Sequence, residues 1–200
     1  MSRLKIVALI PVKPLPHSKS RLSRTLTPES RAQLVHDSLR HVVYALRAVP
    51  EIQRTVVVSR DAQVAEWAEW FGAAHFCESR RGLNAALEEA RAQFSLADGL
   101  LVLASDLVAL SSVDVRELIR RGHEVPSRCV VIAPDRRGRG TNALLLKPPN
   151  AIPFAFGEGS ARRHERLALA HGAVPVWYRS DSVALDLDCT DDLEVYWAQW

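Results

Sequence analysis

Short apolar runs alternate along the chain with longer stretches in which apolar residues recur at helical spacing. The runs expected to form strands are Leu4 to Val12, Arg54 to Ser59, Ala73 to Cys77, Leu100 to Ala104, Cys129 to Ala133, Asn142 to Lys147, Ala173 to Tyr178 and Val183 to Asp188. Their near-continuous Val, Ile and Leu content suits strands buried on both faces. Helices are predicted between them. Thr27-Pro28-Glu29 reads as an N-cap, a first-turn proline and an early acid ahead of a stripe of Leu34, Leu39, Val42, Val43 and Leu46. Asp61 caps a second helix that Gly72 closes; Asn84 to Phe94, Asp114 to Arg121 and a segment from Ser160 to Gly172 follow the same logic. Alternation of this kind gives an α/β domain of three layers, a mostly parallel sheet between two helical layers.

Two hundred residues, 48% of them hydrophobic, can bury one sizeable core, and no Pro/Gly/Ser-rich tract or charge block divides them. One domain spanning 1–200 is expected. The Trp67 and Trp70 pair is expected to serve packing. With 26 basic against 23 acidic residues the net charge is +3, far from the concentrated basic stripe of a duplex-binding protein, so a compact anionic ligand is expected and nucleic acid is not. Cys77, Cys129 and Cys189 have neither metal-ligand nor disulfide-framework spacing and are expected to be buried apolar residues in a reducing compartment. The first apolar run is too short for a signal-peptide core or a membrane span, which makes the cytoplasm the expected location. A domain of this size suits a homodimer, yet no residue pattern locates an interface.

In open α/β sheets, ligands bind beyond the carboxyl ends of the strands. The loop after the first strand carries Lys13, Lys19 and Arg21 but none of the glycines of a phosphate-binding loop. Side-chain charge would have to replace backbone amides there, and an ion pair at ~4 Å is worth roughly 4 kcal/mol at an effective dielectric near 20. These cations suit a triphosphate, or else form a solvated basic loop. Asp106 ends a run expected to be a central strand, as a ligand for a hard divalent ion such as Mg2+ or as a helix N-cap. Asp186 and Asp188 alternate on one strand face, where a shared cation would relieve their repulsion; Asp188 alone also suits a cap. The turn from Pro134 to Asn142, with three arginines, and the stretch from Phe156 to His164, which enters a helix, suggest a second anion pocket. Gly82 and Asn84 open a helix and can face a base or ribose. No GxSxG elbow or HExxH motif supports a hydrolase or zinc site.

Taken in order, IPVKPL...SKSRL, GLNAAL, SDL, APDRRGRGTNALLL, FGEGS...H and DLD resemble the 2-phospho-L-lactate guanylyltransferase family of coenzyme F-420 biosynthesis, over essentially the whole chain. The resemblance implies a Rossmann-like, GT-A type nucleotidyltransferase fold akin to molybdopterin guanylyltransferases, with an antiparallel strand in the sheet. It implies condensation of GTP with a phosphorylated three-carbon acid (2-phospho-L-lactate, phosphoenolpyruvate or 3-phospho-D-glycerate), releasing pyrophosphate. Lys13, Lys19 and Arg21 would hold the GTP phosphates, and Asp106 a magnesium ion, with Asp186 or Asp188 as its second contact. Thr141, Gly157 and Ser160 would hold the acid. The chain departs from the family at Ser105, where Ala is usual, at Val108, where Pro is usual, at Arg139, in place of a small polar residue, and at Cys189, in place of Thr. Arg139 is expected to add a contact to the acid. The alternatives are a sugar-phosphate or molybdopterin-type nucleotidyltransferase and a nucleotide-binding module without turnover.

Overall fold

The computed structural model describes residues 4–188, 190, 192 and 194. Seven strands, β1 (Ile6–Pro11), β2 (Ile52–Val58), β3 (Ala74–Phe76), β4 (Gly99–Leu103), β5 (Cys129–Pro134), β6 (Thr141–Lys147) and β7 (Val174–Trp177), form one sheet in the order β3-β2-β1-β4-β6-β5-β7. Only β6 runs antiparallel to its neighbours, β4 and β5. Because that strand pairs on both sides, the sheet keeps its continuity while the polypeptide reverses.

Alternation distributes the strands' side chains between two cores. Ile6, Ala8 and Ile10 join one face and Val7 and Leu9 the other, and Leu101/Leu103 against Leu100/Val102 divide in the same way. The first face is covered by α1 (Pro28–Arg47), α2 (Ala62–Phe71) and α4 (Ser112–Glu124), the second by α3 (Leu83–Arg91) and α5 (Ser160–Ala170). The helix ends follow their residues. Thr27 caps α1 by accepting from the Ser30 amide, Asp61 caps α2 and Gly72 closes it in a left-handed turn at φ 80°. At α4 the cap is Ser111, paired with Asp114 in a capping box, so this helix starts before the expected Asp114.

The eighth expected strand does not form. A short α6 (Asp181–Ala184) takes the start of that segment, and residues 185–188 run as a loop. The carbonyls of Val183 and Ala184 accept from the Asn142 side chain, and Ala184 also accepts from the Arg136 amide, so local partners replace a ladder. Trp67 packs on the core as expected, whereas Trp70 is 80% exposed. Cys129 is buried but Cys77 is exposed, contrary to expectation, and Cys189 lies outside the described residues. No helix among the described residues is long and apolar enough to cross a membrane.

Candidate active site

A cavity of about 250 Å³ opens at the carboxyl ends of β1 and β4. Lys13, Lys19, Asp106, Thr141, Asp186 and Asp188, distant in sequence, all line it. Three loops converge to build it, and a small apolar cluster clamps them together. Leu22 from the β1 loop, Val108 from the β4 loop, and Leu185 and Leu187 from the last segment are all buried in that cluster. Val108 thus fills the family's usual proline position with core packing, and its free amide donates to the Asp106 carbonyl at 3.0 Å, a bond that proline lacks.

Asp106, Asp186 and Asp188 each offer a carboxylate oxygen, and these lie within 4.8 Å of one another. Asp106 precedes the α4 cap, Ser111, by five residues and does not cap that helix. Lys19 reaches into the acidic group: its Nζ donates to Asp106 and, at 3.4 Å, to Asp188, while Arg21 lies 3.6 Å from Asp188 at an exposed position. Burial alone would lower the Lys19 pKa, but Asp106 and Asp188 outweigh it and raise the value above the ordinary lysine range. Asp186 behaves oppositely: burial first, then the charge of Asp106, push it up to about 6, against the opposing bond from Asn142. Asp106 and Asp188 hold the Lys19 ammonium, and with Asp186 they gather three carboxylates into a donor set suited to a hard divalent cation, so the residues present fit magnesium.

On the far wall, the two segments expected to form an anion pocket meet. The Ala161 amide donates to the Arg139 carbonyl, and Ser160 Oγ donates to Thr141 Oγ1 at 3.0 Å. The amides of Ser160 and Ala161 are therefore committed to Gly157 and Arg139 carbonyls, and are not the free helix-terminal donors expected from sequence. Gly157 and Gly159 hold positive φ (123° and 70°) in the turn, with space around both. The Arg139 side chain is exposed. Arg21, Arg136 and Arg137 line a smaller recess of about 90 Å³ with Asp186 and Asp188.

Gly82 (φ 97°) precedes α3, and Asn84 exchanges two hydrogen bonds with the Phe156 backbone, so its amide docks the loop that leads into α5 against α3. Three residues to which the sequence alone assigns no site role of their own support the cavity. Asn142 donates to Asp186 and to the α6 carbonyls. His164 is fully buried against Thr141. Asp114 accepts from Tyr178, Ser180 and Ser182 on the segment leading to Asp186. A polar residue inside the apolar TNALLL strand signals the first, and the i, i+4 spacing of Ser160 and His164 the second.

The family model described as guanylyl transferase CofC like matches residues 6–196. A phosphoenolpyruvate guanylyltransferase of Rubrobacter xylanophilus is 44% identical over 193 residues, covering 95% of this chain and 92% of that protein. A 2-phospho-L-lactate guanylyltransferase of Methanothermobacter thermautotrophicus is 34% identical, covering 95% and 83%. Among solved structures, a CMP:2-keto-3-deoxy-manno-octonic acid synthetase complexed with CTP superposes with a TM-score of 0.68 at 13% identity, covering 98% of each chain, a likeness of fold. With the family model and both relatives spanning nearly its whole length, the chain belongs to the CofC-like guanylyl transferases, a family of nucleotidyltransferases.

Proposed function

We propose that this enzyme transfers the guanylyl group of GTP to the phosphate of phosphoenolpyruvate, with magnesium held by Asp106, Asp186 and Asp188. The observation that carries the reading is the convergence of these three carboxylates, two of them paired with Lys19, in the lining of a cavity that also reaches Thr141. The choice of acid follows the name of the 44% identical relative.

An oxygen of the acid's phosphate attacks the α-phosphorus of GTP. The bond from that phosphorus to the α,β-bridging oxygen breaks, and pyrophosphate leaves with its electron pair. The attacking phosphate is already anionic, so no side-chain base is needed, and rate acceleration comes from positioning and charge neutralisation. Lys13, Lys19 and Arg21 hold the triphosphate. Thr141 and the turn from Gly157 to Gly159 hold the acid, and Ser160, whose amide and hydroxyl donors go to Gly157 and Thr141, backs the threonine. When bound, magnesium supplies Lewis-acid neutralisation of phosphate charge.

Pyrophosphate release tests the reading. Purified enzyme, magnesium and either GTP, ATP or CTP are mixed with phosphoenolpyruvate, 2-phospho-L-lactate, 3-phospho-D-glycerate or a sugar 1-phosphate. Release is expected with GTP and phosphoenolpyruvate above all. Preferred turnover of a sugar phosphate, or none with any acid, would sink the proposal, and near-normal activity of Asp106→Asn would remove the metal assignment.

A further inference from the structure

Behind Thr141 lies a hydrogen-bond chain that begins at a backbone amide, a donor whose direction is fixed. The backbone amide of Ala155 donates to His164 Nε2 at 3.2 Å. An amide can only donate, so Nε2 carries the lone pair and the ring proton sits on Nδ1. His164 Nδ1 lies 3.1 Å from Thr141 Oγ1 and therefore donates to it. Ser160 Oγ donates to the same oxygen at 3.0 Å. Thr141 Oγ1 thus accepts twice, which uses both of its lone pairs. Its own proton has to point elsewhere, and Thr141 faces the cavity.

We infer that His164 and Ser160 lock the Thr141 hydroxyl as an obligate donor aimed into the cavity, where it takes an anionic oxygen of the acceptor acid. His164 is then a positioning residue: it acts on substrate only through Thr141. The surroundings favour the arrangement. The ring is fully buried, Phe156 stands edge-on to it at 4.9 Å between centroids, and burial, with Arg163 nearby, lowers its pKa to about 4, so it stays neutral. A protonated ring would turn Nε2 into a second donor facing the Ala155 amide. Free rotation would let a threonine hydroxyl accept as readily as donate; here it is preset for carboxylate or phosphate oxygens, which only accept. The identity of that anion rests on the proposed guanylyl transfer to a phospho-acid, but the proton arrangement does not.

Two measurements separate these levels. Long-range proton–nitrogen NMR of the wild-type enzyme without substrate should show the His164 ring neutral at pH 7, with Nδ1 protonated and Nε2 bare. The opposite tautomer, or an imidazolium, overturns the inference whether or not the enzyme uses phosphoenolpyruvate. Kinetics then test the consequence. Thr141→Val should raise the KM for the acid about 10- to 100-fold, the usual weight of a hydrogen bond to a charged group, and leave the KM for GTP nearly unchanged. His164→Leu should do the same in the wild-type background and add little once Thr141 is already Val. Additive losses in the double variant, or a KM change confined to GTP, would show that His164 does not act through the threonine. If His164→Leu does not fold, His164→Asn, which can place an amide donor near the Nδ1 position, should keep the KM for the acid close to that of wild type, and a loss as large as that of Thr141→Val would overturn the inference.

Discussion

Lys19 is the residue on which backbone and charge meet. It holds a left-handed conformation at φ 52°, unusual outside glycine, and this bend both buries Leu22 and sends the ammonium into the acidic group. The two roles can be separated by substitution. Lys19→Gly and Lys19→Ala both remove the ammonium, and each should lower kcat on the order of a hundred- to a thousandfold. Only Ala bears a left-handed penalty, so the Gly variant should be more stable to urea by about 1 kcal/mol. Equal stabilities would mean that the loop relaxes when the ion pair is lost. His164 supports a second prediction at this scale. Its folded pKa is depressed to about 4 from an ordinary 6.5, so between these values the unfolded chain binds a proton that the folded one refuses. Stability should therefore be unaffected by this group above pH 7 and fall as pH drops from about 6.5 toward 4, by up to about 3 kcal/mol. Denaturant titrations of wild type and His164→Asn at pH 7 and pH 4.5 should differ by that slope, and parallel pH profiles would contradict it.

Among the elements, the segment after β7 shows why part of the site was legible in sequence and part was not. Strand runs, helix caps and the position of Asp106 follow from period and punctuation, which are local properties. The alternation of Asp186 and Asp188 was equally visible, but a strand there would need a ladder partner, and instead Asn142 and the Arg136 amide take the Val183 and Ala184 carbonyls. Such long-range partners leave no periodic trace. Asp114 is a clearer case: in sequence it is an early acidic residue of α4, whereas in the fold it also ties down Tyr178, Ser180 and Ser182. Burial opposes its ionisation, yet hydrogen bonds from Ser111, Ser180, Tyr178 and Ser182 hold its carboxyl below the usual range. Asp114→Ala should cost on the order of 3 kcal/mol of stability by leaving these hydroxyls unpaired. Because the same segment carries Asp186, kcat should also fall at temperatures where the variant is fully folded. A variant that loses stability but keeps wild-type kcat would show that α6 is positioned without this anchor.

For the whole molecule, the sheet order places the basic β1 loop beside the β4 loop, and the antiparallel β6 brings Thr141 to the same edge as Asp106. Three carboxylates and Lys19 face one cavity there, with Arg21 nearby, so binding should be coupled. In the free protein Lys19 compensates part of the acidic charge; a divalent cation arriving alone must compete with that ammonium, whereas one arriving with a triphosphate gives both Lys19 and the carboxylates a counter-charge. Magnesium alone is therefore expected to raise Tm little and magnesium with GTP much more. At ligand concentrations near 100 Kd the gain should be about 2.7 kcal/mol, which for a chain of this length corresponds to roughly 5–10 °C. The coupling has a specific dependence on Asp106: in Asp106→Asn the magnesium-dependent part of the shift should disappear, while any shift from GTP with EDTA should persist, since the β1-loop cations are intact. Differential scanning fluorimetry over the four combinations of magnesium and GTP measures this directly. A full shift from magnesium alone, or one retained in Asp106→Asn, would place the cation elsewhere than among Asp106, Asp186 and Asp188.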